Sequence, residues 1–151
     1  MSAVSAMPAS TRPRDVGREV IAAGVEALGR LEASLGDAFD DAACHLFQLR
    51  GKVVTFGVGK SGNAAQKLAA TLRSVGVPAL NLPVSDALHG DLGAIDVGDV
   101  VILFSKSGGT EELVALTPHL RSRWATIIVV TGDVRSPLAR EADLVLEASV
   151  E

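Results

Sequence analysis

The sequence predicts an α/β domain in three layers, a five-stranded parallel sheet with helices on both faces. Three observations lead there. From residue 52 onward, short apolar runs alternate with segments of helical periodicity, the pattern of right-handed βαβ units. Apolar residues make up 48% of the 151-residue chain and aromatics only 3%. Ala, Val and Leu must then fill the core, as they do between a buried parallel sheet and Ala-rich helices. Two turns rich in Gly and hydroxyl residues, GVGKSG (57–62) and SKSGGT (105–110), each follow an apolar run and open a helical one.

The elements follow in order. Residues 1–14 are polar and proline-containing, with no apolar stretch to serve as a signal peptide. They are expected to be a disordered tail before a domain at 15–151. Between Asp15 and Arg50, Val20, Leu28, Leu31, Leu35, Ala42, Leu46 and Leu49 recur mostly three or four residues apart, a helical stripe. Gly36-Asp37 is expected to divide it, with Asp37 as the second N-cap. So long a stripe exceeds what one small core needs, and a partner subunit is expected to share it in a homodimer or homotetramer.

KVVTF is the first strand, followed by a helix from Ser61 to Val75 that Gly76 and Pro78 end. PALNL is the second strand, and DALHGDLGAI a turn or short helix. DVVILF (99–104) is the third strand and Thr110 to Arg123 a helix. ATIIVVT, the short helix SPLAREA with Pro137 at its first position, and DLVLEA complete the pattern. A flavodoxin-like strand order, 2-1-3-4-5, puts the ligand crevice beyond the carboxyl ends of strands one and three, where the order reverses. Those strands lead into the two Gly-rich turns.

Composition excludes several classes. The net charge of −4 with interspersed signs marks neither a nucleic-acid nor a membrane surface. Cys44 is the only cysteine, which rules out an intrachain disulfide and a Cys-rich zinc site and fits a reducing, cytoplasmic setting. No window approaches ~18 consecutive apolar residues.

What the first turn holds has three readings. A P-loop needs a Gly five positions before Gly59, where Val54 stands within the strand. A dinucleotide site fits Gly57, Gly59 and Gly62, but the second strand ends in LNLPVS without its ribose-binding carboxylate. A sugar-phosphate site uses both turns. Ser105, Ser107 and Thr110 supply three hydroxyls around Gly108-Gly109, and the N–H groups of Gly109 and Thr110 face an anion at the helix N-terminus. Lys60 and Ser61 approach from the first turn. One Ser or Thr alone would be read more simply as a helix cap; three hydroxyls opposite a second glycine turn favour a phosphate.

These residues carry a resemblance. GVGKSGNAAQKLAATLRSVGVPA, DALHGDLGAI, FSKSGGTEEL and SPLAREADLVL resemble the successive landmarks of the sugar isomerase (SIS) domain family. They look most like its arabinose 5-phosphate isomerase branch, for which ALHGDLG between the two turns is specific. The resemblance runs from about residue 15 to the C-terminus. It implies cofactor- and metal-free interconversion of D-ribulose 5-phosphate and D-arabinose 5-phosphate through an enediol. The substrate- and phosphate-binding residues expected in the two turns are Gly59, Ser61, Ser105, Ser107, Gly108, Gly109 and Thr110.

For catalysis the resemblance implies Glu112 as the base, with Glu111 the neighbouring candidate roughly 100° around the helix. It implies Lys60 as the active-site lysine, holding a sugar oxygen or offsetting the phosphate. His89 is the histidine placed to donate to a sugar hydroxyl or assist ring opening. The plainer readings are two first-turn acids complementing a helix dipole, a surface lysine, and a histidine bonding Asp91 across Gly90. Two departures stand out: no paired CBS domains follow, and the chain ends at Glu151, short of the family's further glutamate and histidine. A non-catalytic phosphosugar-binding or sensing module is therefore the second expectation.

Overall fold

The computed structural model describes residues 12–149. Two compact units result, one containing α1 (Pro13–Ser34) and the other spanning Leu35–Ser149. In α1 none of the residues is buried, and Val16, Val20, Ile21, Val25, Leu28 and Leu31 lie exposed along it. The helix begins two residues inside the expected tail. Residues 1–11, where the rest of that tail falls, lie outside the described residues, as do Val150 and Glu151.

The second unit opens with α2 (Asp37–Phe47) and continues β1 (Val53–Gly57), α3 (Lys60–Ser74), β2 (Ala79–Asn81) and α4 (Val84–Leu88). A 3-10 turn at Asp91–Ala94 leads to β3 (Val100–Phe104), α5 (Glu111–Arg121), β4 (Thr126–Thr131), α6 (Pro137–Arg140) and β5 (Leu144–Glu147). All strand pairs are parallel, in the order β2-β1-β3-β4-β5. The predicted sheet and its topology are those observed. Asp37 is not the cap of α2: Gly36 occupies that position without a side-chain bond, and Asp37 is the first helical residue. There, with Asp40, its charge favours the helix N-terminus instead.

Strand residues alternate between faces, and two cores result. Val53, Val100, Ile102 and Ile128 pack with Ala42 of α2 and with Leu68 and Leu72 of α3. Val54, Phe56, Val101, Leu103, Ile127 and Val129 pack with Leu113, Leu116 and Leu120 of α5 and Leu138 of α6. Each fully buried aliphatic side chain contributes about 1.5–3 kcal/mol relative to exposure. Burial on both faces is why these strands read as continuous apolar runs. Thr55, wholly buried within β1, is a polar exception, as is Thr131 at the end of β4. The Thr55 hydroxyl lies 2.9 Å from the Ala65 carbonyl of α3 and 3.0 Å from Asn81 Oδ1 at the end of β2, so the group is satisfied.

Among the described residues no helix is long and apolar enough to cross a membrane. Nor is there a cluster of three or more side chains able to hold a metal ion.

Candidate active site

Register places the site. Gly57, the last residue of β1, pairs with Phe104, the last of β3, and Phe104 pairs with Val130 of β4. Turns 57–62 and 105–110 therefore leave the sheet side by side. The connection after β4 (131–136) leaves at the same level. The sequence singled out the first two of these and not the third.

In the first turn, close approach decides the glycines. A Cβ on Gly57 would lie 2.6 Å from the Ser61 carbonyl oxygen, so the strand end and the first turn of α3 touch backbone to backbone. Gly59 caps α3 at φ +58°, the left-handed region, and Lys60 is the first helical residue. Lys60 is exposed and Ser61 half-buried. A short strand-to-helix turn of this kind offers one cation and few backbone donors, without room to wrap a diphosphate.

The second turn is better organised. Ser105 is 2% exposed, and its Oγ lies 2.8 Å from Thr110 Oγ1. Thr110 stands at the N-cap of α5, yet its side chain makes no capping bond. The plain capping role is thus not the one its hydroxyl takes. Of the paired hydroxyls only one donates to the other, which leaves the second proton for another acceptor. Ser107 Oγ accepts from the Gly109 N–H at 3.3 Å, so this amide, expected to face an anion, has a local partner that an anion must share or replace. Gly108 is buried at φ +62°.

Glu111 and Glu112 are the first two residues of α5, and both are exposed. Glu112 stands in the same first helical turn that Thr110 caps, one turn of chain beyond the Ser107–Gly109 segment. His89 is the C-cap that follows α4, exposed, with its backbone N–H bonded to the Asp86 carbonyl at 3.0 Å. Among the described residues its imidazole bonds neither Asp91 nor any other group, so the structural pairing across Gly90 is absent. Asp86 instead accepts from Ser85 Oγ at 3.0 Å.

Sequence reasoning missed Thr131 and Ser136, buried residues of the third connection that abut the second turn. Their one sequence signal is Ser136 before Pro137, which was read only as a helix start. A cavity of about 470 Å³ lined by His45, Arg121, Trp124, Ala125, Thr126 and Asp143 lies elsewhere, by the amino end of β4.

A five-stranded parallel sheet in the order β2-β1-β3-β4-β5, with two glycine–hydroxyl turns side by side where the strand order reverses, defines a doubly wound α/β domain. The chain belongs to the SIS domain family, whose model matches residues 45–151. It is 42% identical over 137 residues to the arabinose 5-phosphate isomerase GutQ of Salmonella typhimurium, covering 91% of this chain and 43% of that protein. It is 43% identical over 125 residues to the arabinose 5-phosphate isomerase KdsD of Pseudomonas aeruginosa, covering 83% and 38%. The chain thus spans less than half the length of these curated relatives. Among solved structures, c3406 of E. coli CFT073 in complex with arabinose 5-phosphate superposes with a TM-score of 0.77 at 37% identity, over 92% of this chain and 76% of that one.

Proposed function

We propose that this chain carries the catalytic domain of a cytoplasmic aldose–ketose isomerase that interconverts D-ribulose 5-phosphate and D-arabinose 5-phosphate. The observation that carries the reading is the second turn: a hydroxyl pair, buried Ser105 and half-buried Thr110, at the start of a helix whose first turn bears a free carboxylate, Glu112. The likeness to GutQ and KdsD, named arabinose 5-phosphate isomerases, supports the substrate.

The phosphate docks on Ser105, Ser107, Gly108, Gly109 and Thr110, where hydroxyls, amides and the N-terminus of α5 meet its charge. Gly59 and Ser61 line the other side. Glu112 takes a proton from C1 of the ketose and the enediol forms. The same acid then returns the proton to C2 while a proton passes from the C1 oxygen to the C2 oxygen, giving the aldose with no net change in atoms or electrons. Lys60 steadies the enediolate oxygen, and His89 donates to a sugar hydroxyl or assists ring opening. The working assembly is a homodimer or homotetramer joined along the exposed stripe of α1.

Turnover of D-arabinose 5-phosphate to the ketose by the 151-residue chain tests the reading. Isomerisation that is lost in Lys60→Ala sustains it. Saturable binding of arabinose 5-phosphate without turnover would replace it with a phosphosugar-binding module. Absence of both would remove it.

A further inference from the structure

Two carbonyls of the 105–110 turn are held from one side by the connection after β4 and the start of α6. The Lys106 carbonyl accepts from the Gly132 N–H at 2.9 Å and from Thr131 Oγ1 at 3.4 Å. The Gly108 carbonyl accepts from the Leu138 N–H at 3.0 Å. A trans peptide is planar, and its N–H points opposite to its C=O. Anchoring the Lys106 and Gly108 carbonyls therefore aims the N–H groups of Ser107 and Gly109 the other way, off the free side of the turn. Among the described residues Ser107 N–H has no protein acceptor, and Gly109 N–H meets only Ser107 Oγ. Neighbouring amides turned to one side form a concavity suited to an anion.

Gly108 sets the closeness of this contact. A Cβ there would run into Oγ and Cβ of Ser136 and lie 2.9 Å from Thr131 Oγ1. Its φ of +62° is itself unfavourable for any residue with a Cβ. Ser136 has little freedom to yield. It is 2% exposed, and its Oγ accepts from the Ala139 N–H at 3.4 Å as the cap of α6.

We propose that Ser136 is a positioning residue for the phosphosugar site, backing Gly108 so that the Ser107 and Gly109 amides face the substrate's phosphate. This rests on the reading of the 105–110 turn as the phosphate cradle. Ser136 does not touch the ligand; it fixes the peptide planes that do. Preorganised donors of this kind need no reorientation when charge arrives.

The test compares Gly108→Ala, Ser136→Gly and the double variant in the whole chain. One readout needs no ligand: the amide NMR shifts and hydrogen exchange of Ser107 and Gly109. The other is calorimetric affinity for arabinose 5-phosphate and for inorganic phosphate. Gly108→Ala should move both amides and weaken both ligands on the order of tenfold. Ser136→Gly, a substitution that helix caps tolerate at a cost of a few tenths of a kcal/mol, should move the amides less. The double variant should recover part of the affinity, because the new methyl then has room, so the two changes are non-additive.

Unmoved amides in Gly108→Ala, or a strictly additive cycle, would overturn the proposal. If Gly108→Ala does not fold, Ser136→Gly combined with Thr131→Val decides it: moved amide shifts at Ser107 and Gly109 support it and unmoved shifts refute it. Binding of neither ligand by the unaltered chain would bring down the proposed function. The amide readout would still show whether Ser136 orients the turn.

Discussion

The two edges of the sheet are built from opposite materials. At the amino edge, aspartates immediately before β3 and β5 accept from the neighbouring strand's backbone and from a cation. Asp99, 1% exposed, takes the N–H groups of Lys52 and Asp96, both at 2.8 Å, and the Lys52 ammonium at 2.6 Å. Asp143 takes the Ile127 N–H at 2.7 Å and Arg121 at 2.6 Å. At the carboxyl edge stand glycines and hydroxyls, and among the described residues Lys60, Glu111, Glu112 and His89 form no ion pair. Charge is spent on holding strands at one edge and left free at the other. Changes at the amino edge should then move stability, and changes at the carboxyl edge should move chemistry.

Glu112→Gln gives the sharpest separation. Turnover should fall by about 100- to 10,000-fold, the usual share of a general base, while the melting temperature and arabinose 5-phosphate affinity stay as they were. Steady-state kinetics beside calorimetry would show it. If Glu111→Gln proves the damaging change and Glu112→Gln mild, the base stands at the other helical position.

Asp99→Asn tests the opposite edge. Burial, the largest single influence on Asp99, pushes its carboxyl up. The Asp96 N–H, the Lys52 ammonium and the Lys52 N–H together outweigh burial and hold it below the ordinary range. Removing the charge should cost about 2 kcal/mol in urea unfolding, the usual share of hydrogen bonds to a charged group, with phosphosugar affinity unchanged. A lowered native pKa means stability that is full above about pH 4, near the unfolded value, and lost as pH falls through the native one. The unaltered chain should therefore weaken faster than Asp99→Asn on acidification below that point. Parallel acid profiles would show that the pair adds nothing.

Ser105→Ala with Ser107→Ala should remove the thermal protection given by arabinose 5-phosphate. That protection amounts to about 2.7 kcal/mol at a hundred times the dissociation constant. Without ligand the same variant should lose only about 1 kcal/mol per hydroxyl bond removed. Protection retained in full would place the phosphate elsewhere.

The smallest expected change to the α/β unit comes from Leu28→Asp in α1. Sedimentation should shift from dimer or tetramer toward monomer while the unit's own unfolding transition hardly moves. A chain that is already monomeric at micromolar concentration would refute association through this helix.

Much of the sheet was legible because its signals are local. Val53–Phe56, Val100–Phe104 and Thr126–Thr131 are apolar runs bounded by turn residues, and α3 and α5 follow glycine turns. The α2 start falls one residue from the expected place because Gly36 and Asp37 are both acceptable caps. At the candidate site, Ser105, Ser107 and Thr110 could be named as a cluster. That Ser105 would bond Thr110, and that the Thr110 side chain would not cap its helix, could not be read, since both residues can make either bond.

By itself the sequence determined the order of elements, the parallel sheet and the two turns at its switch point. Hydrophobic period, turn chemistry and the chain-reversal rule for βαβ units all act over a few residues or a single crossover. Only the tertiary structure decided that Asp99 would close on Lys52 across 47 residues, and that Ser136 would stand against Gly108. Neither residue carries a pattern naming its partner. Their meeting depends on strand register and helix packing, which the whole core fixes at once.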